Sequence, residues 1–161
     1  MSPILRFAST VAALVLTSVP ASAQSILPPT KGGALLRWLA DGSYRATYTP
    51  EPAVRFSTAP HGGNVRAWLS PILVEDLRAG RPTFRKGAAM VKEIYFTGQT
   101  EVLGWSVMRK MRNNSGRRGQ GWYFYETFDG RTPVVRPGRG VPICVSCHRD
   151  GQDFYLLGFQ P

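Results

Sequence analysis

EVLGWSVMRKMRNNSGRRGQGWYFYETF, residues 101–128, is the stretch that decides how this chain folds. Its two ends, EVLGWSVMRKM (101–111) and GWYFYETF (121–128), are rich in β-branched and aromatic residues, a composition suited to a pleated, half-buried surface. The middle, RNNSGRRGQ (112–120), is polar and carries glycine, which is turn chemistry. Two strand-like runs joined by such a turn predict an antiparallel hairpin.

Working outward, AAMVKEIYFT (88–97) has the same strand composition, and NVRAWL (64–69) reads as another strand. YRATYT (44–49) and VRFSTA (54–59) alternate and are bounded by proline, which predicts two more. SPILVEDLRAG (70–80) is the clearest helix, because Ser70 can cap it, Pro71 suits its first position and Gly80 can end it. ALLRWLADG (34–42) places apolar residues at helical spacing before a glycine stop, a second short helix. SILPPTKGG (25–33) is an irregular lead, and DGRTPVVRPGRGVP (129–142) is a proline- and glycine-rich loop. The expected class is α+β, a mainly antiparallel sheet with a few short helices. No repeat or heptad interrupts it.

The N-terminus has a different character. MSPILRFASTVAALVLTSVPASAQ (1–24) has one positive charge, Arg6, then an apolar run and the small residues Ala21, Ser22 and Ala23. This is the layout of a secretory signal peptide over residues 1–23, cleaved near Ala23. The run is shorter than the roughly 20 residues that span a bilayer. The expected product is a single domain over residues 24–161, periplasmic or secreted, with no membrane span.

Both cysteines of the chain lie in ICVSCHRDG (143–151): Cys144 and Cys147, with His148 directly after. A disulfide across two residues would staple almost nothing and leaves His148 unexplained. A redox dithiol belongs after a strand in a βαβ pattern, which this chain lacks. A zinc site could recruit His61, but neighbouring Cys147 and His148 are poorly placed on one tetrahedral ion. CxxCH also mounts haem covalently. Each thiol adds to a vinyl group, and the histidine is delivered to one face of the iron as proximal ligand. One covalently attached haem c on Cys144, Cys147 and His148 is the expectation, with His148 as metal ligand.

The other axial position is less provided for. No methionine follows Met111, and only thirteen residues follow His148. Met90, Met108 and Met111 sit in strand-like segments where core packing is their ordinary use, and His61 sits in a turn-like APHGGN. An open or weakly held sixth site is expected; simple electron transfer with Met90, Met108 or His61 as sixth ligand is the remaining alternative.

HGGNVRAWLSP (61–71), TFRKGAAMVKE (83–93), GWYFYE (121–126) and CVSCHRDGQDFYL (144–156) together resemble the cytochrome P-460 family and its β-sheet cousins, the cytochromes c-prime-beta. The strand content and the prolines set the chain apart from the helical cytochromes c-prime. The resemblance implies a homodimer and a haem enzyme that oxidises hydroxylamine, towards nitric or nitrous oxide, at an open iron. It also implies that Lys92 stands where cytochromes P-460 bond a lysine amine to the porphyrin. Alternation puts Met90, Lys92 and Ile94 on one strand face and Val91, Glu93 and Tyr95 on the other. A lysine among apolar neighbours is costly unless neutralised, bonded or paired with a carboxylate.

Hydroxylamine oxidation needs a proton acceptor, which the family places on the strand after the lysine strand. LGWSVM (103–108) offers Trp105, Ser106 and Val107 but no carboxylate, Glu101 being the nearest. With Phe96, these residues are the candidate distal pocket. An apolar pocket of that kind resembles cytochromes c-prime-beta and favours capture of nitric oxide by a protein that is not an enzyme; taken singly, the ordinary use of each aromatic is sheet core. The net charge of +10 becomes +9 once Arg6 is removed, with 19 Lys+Arg left from 20 against 10 Asp+Glu. In an exported protein nucleic acid is not the expected partner. The charge suits docking to an acidic redox partner, compensation of haem propionates, or a solvated basic surface.

Overall fold

The computed structural model describes residues 26–57, 60–95 and 100–161. The signal-peptide segment 1–23 and the pocket candidate Phe96 lie outside the described residues. In chain order the elements are α1 (Gly32–Asp41), a 3₁₀ helix (Ser43–Ala46), β1 (Thr49–Pro50), β2 (Arg55–Ser57), β3 (Gly63–Leu69), α2 (Pro71–Arg78), β4 (Ala89–Tyr95), β5 (Val102–Lys110), β6 (Trp122–Thr127), β7 (Gly138–Arg139) and α3 (Pro142–His148). The strands form one sheet in the order β1-β3-β4-β5-β6-β7, with β2 sharing the outer edge of β3 with β1. Every pairing is antiparallel. The α+β class follows, and β5 and β6 form the hairpin that residues 101–128 predict.

Local chemistry explains the helix that fixes the sheet's start. The Ser70 hydroxyl accepts from the Leu73 N–H (3.3 Å) and from the Ala89 N–H (2.9 Å). One side chain therefore caps α2 and ties it to the first residue of β4. Gly80, at φ +60°, ends the helix in the left-handed conformation that glycine adopts freely.

Residues 44–49 depart from the strand expected there. Tyr44 and Tyr48, four apart, both turn inward against Trp38, a spacing that a helical turn satisfies as well as a strand does. The segment forms the 3₁₀ helix, and only Thr49 and Pro50 pair with β3.

The sheet is covered on both faces. One face packs Ala67, Leu69, Met90, Met108, Trp122 and Phe124 against α2, Phe84, Tyr155 and the half-buried side of α3. Both methionines are thus core, as expected from strand context. The opposite face packs Trp68, Val91, Val107, Tyr123 and Tyr125 against α1, Tyr44 and Tyr48. Complete burial of Leu35 and Leu39 of α1 contributes about 2 kcal/mol each in transfer from water. Within this second core Glu93 is wholly buried. It accepts from Tyr44 Oη (2.5 Å), Tyr95 Oη (2.5 Å), Arg45 Nε (2.6 Å) and Trp68 Nε1 (2.8 Å).

Burial makes the core sensitive to alkali. It raises the phenol pKa of Tyr44, Tyr48, Tyr95 and Tyr155 well above the ordinary value, Tyr44 and Tyr95 also feeling the Glu93 carboxylate, and pushes Tyr125 up to about 12. Below pH 10 these tyrosines are neutral in both folded and unfolded chains. Above pH 10 the unfolded chain gives up protons that the folded chain keeps, so stability falls as pH rises. By pH 11 each tyrosine contributes a loss of about 1 kcal/mol. Urea titrations followed by far-UV circular dichroism should show the midpoint falling from about pH 10 upward to about pH 12, the window the phenol values set; a flat midpoint contradicts this account.

Candidate functional site

The strand register assembles the site. Lys92 lies opposite Ala67 on β3 and Ser106 on β5, and Ser106 lies opposite Glu126 on β6. Directly opposed residues share a face, so Ala67, Lys92, Ser106 and Glu126 form one row on the face of Met90, Met108 and Phe124. This is the face expected for Met90, Lys92 and Ile94, with Val91 and Glu93 on the other.

Lys92 is 5% exposed, and its side chain makes no hydrogen bond or ion pair with the other described residues. Its small neighbours Ala67 and Ser106 leave room for its chain. Burial first, then the Arg55 charge, lowers its pKa to about 8, while Glu51 and Glu126 pull the other way. The amine is therefore partly neutral near physiological pH, which is how a buried lysine becomes reactive. Glu51 is itself tied to the backbone, accepting from the Ala67 N–H (2.7 Å), and to Arg55 Nε (2.9 Å).

Glu126 accepts a hydrogen bond from His61 Nδ1, each side chain about one-seventh exposed. His61 stands in the turn before β3, where Gly62 and Gly63 adopt positive φ (+36° and +78°). It is neither a free surface residue nor a lone turn residue. Its ring centroid is 6.0 Å from that of His148, and the Phe124 ring is 5.7 Å from His148.

His148 arrives on this face from α3. Pro142 suits the first turn of that helix, and one turn then carries Cys144, Cys147 and His148. Cys144 is half-buried, its thiol pushed up to about 11 by burial and the Glu126 charge, and Cys147 is exposed; both thiols are free. His148 is buried, and burial lowers its pKa to about 4, so it is neutral at pH 7. Its Nδ1 lies 2.9 Å from the Phe154 carbonyl oxygen. A carbonyl only accepts, so Nδ1 carries the proton and donates, and Nε2 keeps its lone pair. A hydrogen bond of this kind, made by the ring nitrogen turned away from the metal, orients histidines that ligate metals.

The donor set fits a covalently held haem: two free thiols on one helical turn and an imidazole whose other nitrogen is already engaged. Among the described residues no group of three or more His, Cys, Asp or Glu is placed to hold a metal ion. Beside the Lys92 row, at the end of the sheet, an apolar cleft of about 550 Å³ opens between Phe56, Gly63, Ile94, Leu103 and Phe128. Ile94 follows Lys92 by two residues on the same face. Among the described residues no helix is long and apolar enough to cross a membrane.

Two pocket candidates are misplaced. Trp105 opposes Glu93 and Val107 opposes Val91, so both point to the α1 side and pack in that core. The two-residue period of the strand forces this: if Ser106 shares the face of Lys92, its neighbours cannot. Ser106 alone of the three stays with Lys92. Glu101 is exposed in the bend before β5, away from the row. One strand later, opposite Ser106, the Lys92 face carries the carboxylate of Glu126.

No protein-family model and no curated protein sequence matches the chain.

Proposed function

We propose that this protein is an exported mono-haem c-type cytochrome of the P-460 type that oxidises hydroxylamine or nitric oxide at an open iron site. The observation that carries the reading is the Nδ1–H bond of His148 to Phe154, which leaves Nε2 as a free lone pair beside the two thiols of CxxCH. Cys144 and Cys147 would hold the haem through thioethers and His148 through Nε2. When bound, the haem supplies the redox centre at which a small nitrogenous ligand gives up electrons to an external acceptor.

The chain's own groups supply the rest. Glu126 stands on the Lys92 face as a proton acceptor, held there by the Nδ1–H of His61. That pair favours oxidation over mere capture of nitric oxide, because a substrate that sheds protons needs a base in reach. Lys92, buried and partly neutral, is the group for a cross-link to the porphyrin. The basic surface suits an acidic redox partner, and a homodimer is proposed from the family resemblance alone.

The test is spectroscopic. Expressed with haem-attachment machinery, the chain should carry one covalent haem by the pyridine haemochrome assay, and Cys144→Ser with Cys147→Ser should abolish attachment. The reduced protein should show a red-shifted Soret band that reverts in Lys92→Ala. An ordinary high-spin spectrum, unchanged in Lys92→Ala, removes the cross-link and points to nitric oxide binding. A low-spin spectrum would assign electron transfer instead, and lack of covalent haem overturns the proposal.

A further inference from the structure

The carbonyl that orients His148 belongs to an unusual turn. Gln152 O accepts from the Tyr155 N–H at 2.8 Å, and the two residues between them, Asp153 and Phe154, have φ +47° and +71°. Positive φ at both central positions defines a type I′ turn, which favours Asn, Asp and Gly. Asp153 is at home there, but a phenylalanine at positive φ is an outlier. Something outside the turn must impose the conformation.

Three separate segments do so through the Asp153 carboxylate. It accepts from the Phe84 N–H at 2.8 Å, from the Lys110 ammonium and from the Ser115 hydroxyl. Lys110, the last residue of β5, is wholly buried, bonds Ser115 as well, and lies 4.8 Å over the Trp122 ring. On the other side of the turn Tyr155 is buried edge-on to Phe84 and donates to the Phe159 carbonyl (2.8 Å). What the turn delivers is the Phe154 carbonyl, 2.9 Å from His148 Nδ1.

We propose that Asp153, gripped by Lys110, Ser115 and the Phe84 N–H, is a positioning residue. It locks the turn so that the Phe154 carbonyl fixes the rotation and tautomer of His148. The role rests on His148 being the haem ligand. A buried lysine–aspartate pair that touches neither the ligand nor the haem mount thus sets how strongly His148 donates, since a firm Nδ1–H bond raises the basicity of Nε2.

Asp153→Ala, with covalent haem confirmed by pyridine haemochrome, should move the iron–histidine stretching band of the ferrous protein to lower frequency in resonance Raman spectra. It should also raise the midpoint potential, because a poorer donor stabilises the oxidised iron less. Asp153→Asn, which keeps an acceptor for the Phe84 N–H, should move both only part of the way. A band and potential equal to those of the unaltered protein overturn the proposal. If Asp153→Ala does not fold, Ser115→Ala, which removes one contact and no charge, is read the same way; no shift there also overturns it. Should the unaltered chain take up no haem, the haem reading fails, and the imidazole ¹⁵N shifts of the haem-free protein decide separately. His148 held as the Nδ1–H tautomer, and mixed in the variant, supports the positioning role; no difference overturns it.

Discussion

Glu93→Gln is expected to lower the stability of the folded chain by about 3–5 kcal/mol, the cost of breaking a buried, hydrogen-bonded charge. The carboxylate is wholly buried on β4 and takes hydrogen bonds from Tyr44, Tyr95, Trp68 and Arg45, which reach it from the 3₁₀ helix and from two strands. A glutamine keeps the volume but turns one accepting oxygen into a donor, which then faces donors. Each donor left unsatisfied in the core costs about 1–3 kcal/mol, against a total of about 5–15 kcal/mol for a domain. The far end of the ion pair behaves differently. Arg45 is nearly half exposed, so Arg45→Ala should cost no more than about 1 kcal/mol. Thermal melts would show the contrast, with Glu93→Gln falling by roughly 10 °C or more and Arg45→Ala by a few degrees. Equal small shifts for both would mean that the network is not what pins the 3₁₀ helix to the sheet.

Much of this sheet was legible because it depends on local chemistry. Ser70, Pro71 and Gly80 mark α2, and the polar run 112–120 marks the hairpin. Folding residues 101–128 symmetrically about Gly116 even puts Glu126 opposite Ser106, the observed register. The expectation of Trp105, Ser106 and Val107 in one pocket ignored that register, and so lost both the alternation of faces and the carboxylate. Residues 44–49 misled because two inward tyrosines four apart resemble alternation when the partner of Tyr44, Glu93, is far along the chain. The orientation of His148 was hidden for a different reason. It depends on a left-handed turn at Asp153 and Phe154 that local propensity disfavours, imposed by a lysine on another strand.

Loss of the base is the second large effect. In the haem-loaded protein, Glu126→Gln should reduce kcat for hydroxylamine oxidation about 100-fold or more, the scale of a positioned general base. Glutamine is isosteric and still accepts from His61, so the haem content and the visible spectrum should be unchanged while turnover falls. His61→Ala should cost less, about 10-fold, because Glu126 then keeps its acceptor oxygens but loses the hydrogen bond that holds it in place. Trp105→Phe, on the opposite face of the sheet, serves as the control and should turn over normally. Stopped-flow and steady-state assays with an external electron acceptor separate the cases. A Glu126→Gln enzyme with normal kcat would show that protons leave by another route and that the row from Lys92 to Glu126 is only part of the sheet's packing. A drop confined to Glu126 and His61 would tie the chemistry to the one face where strand register brings lysine, carboxylate and the CxxCH helix together.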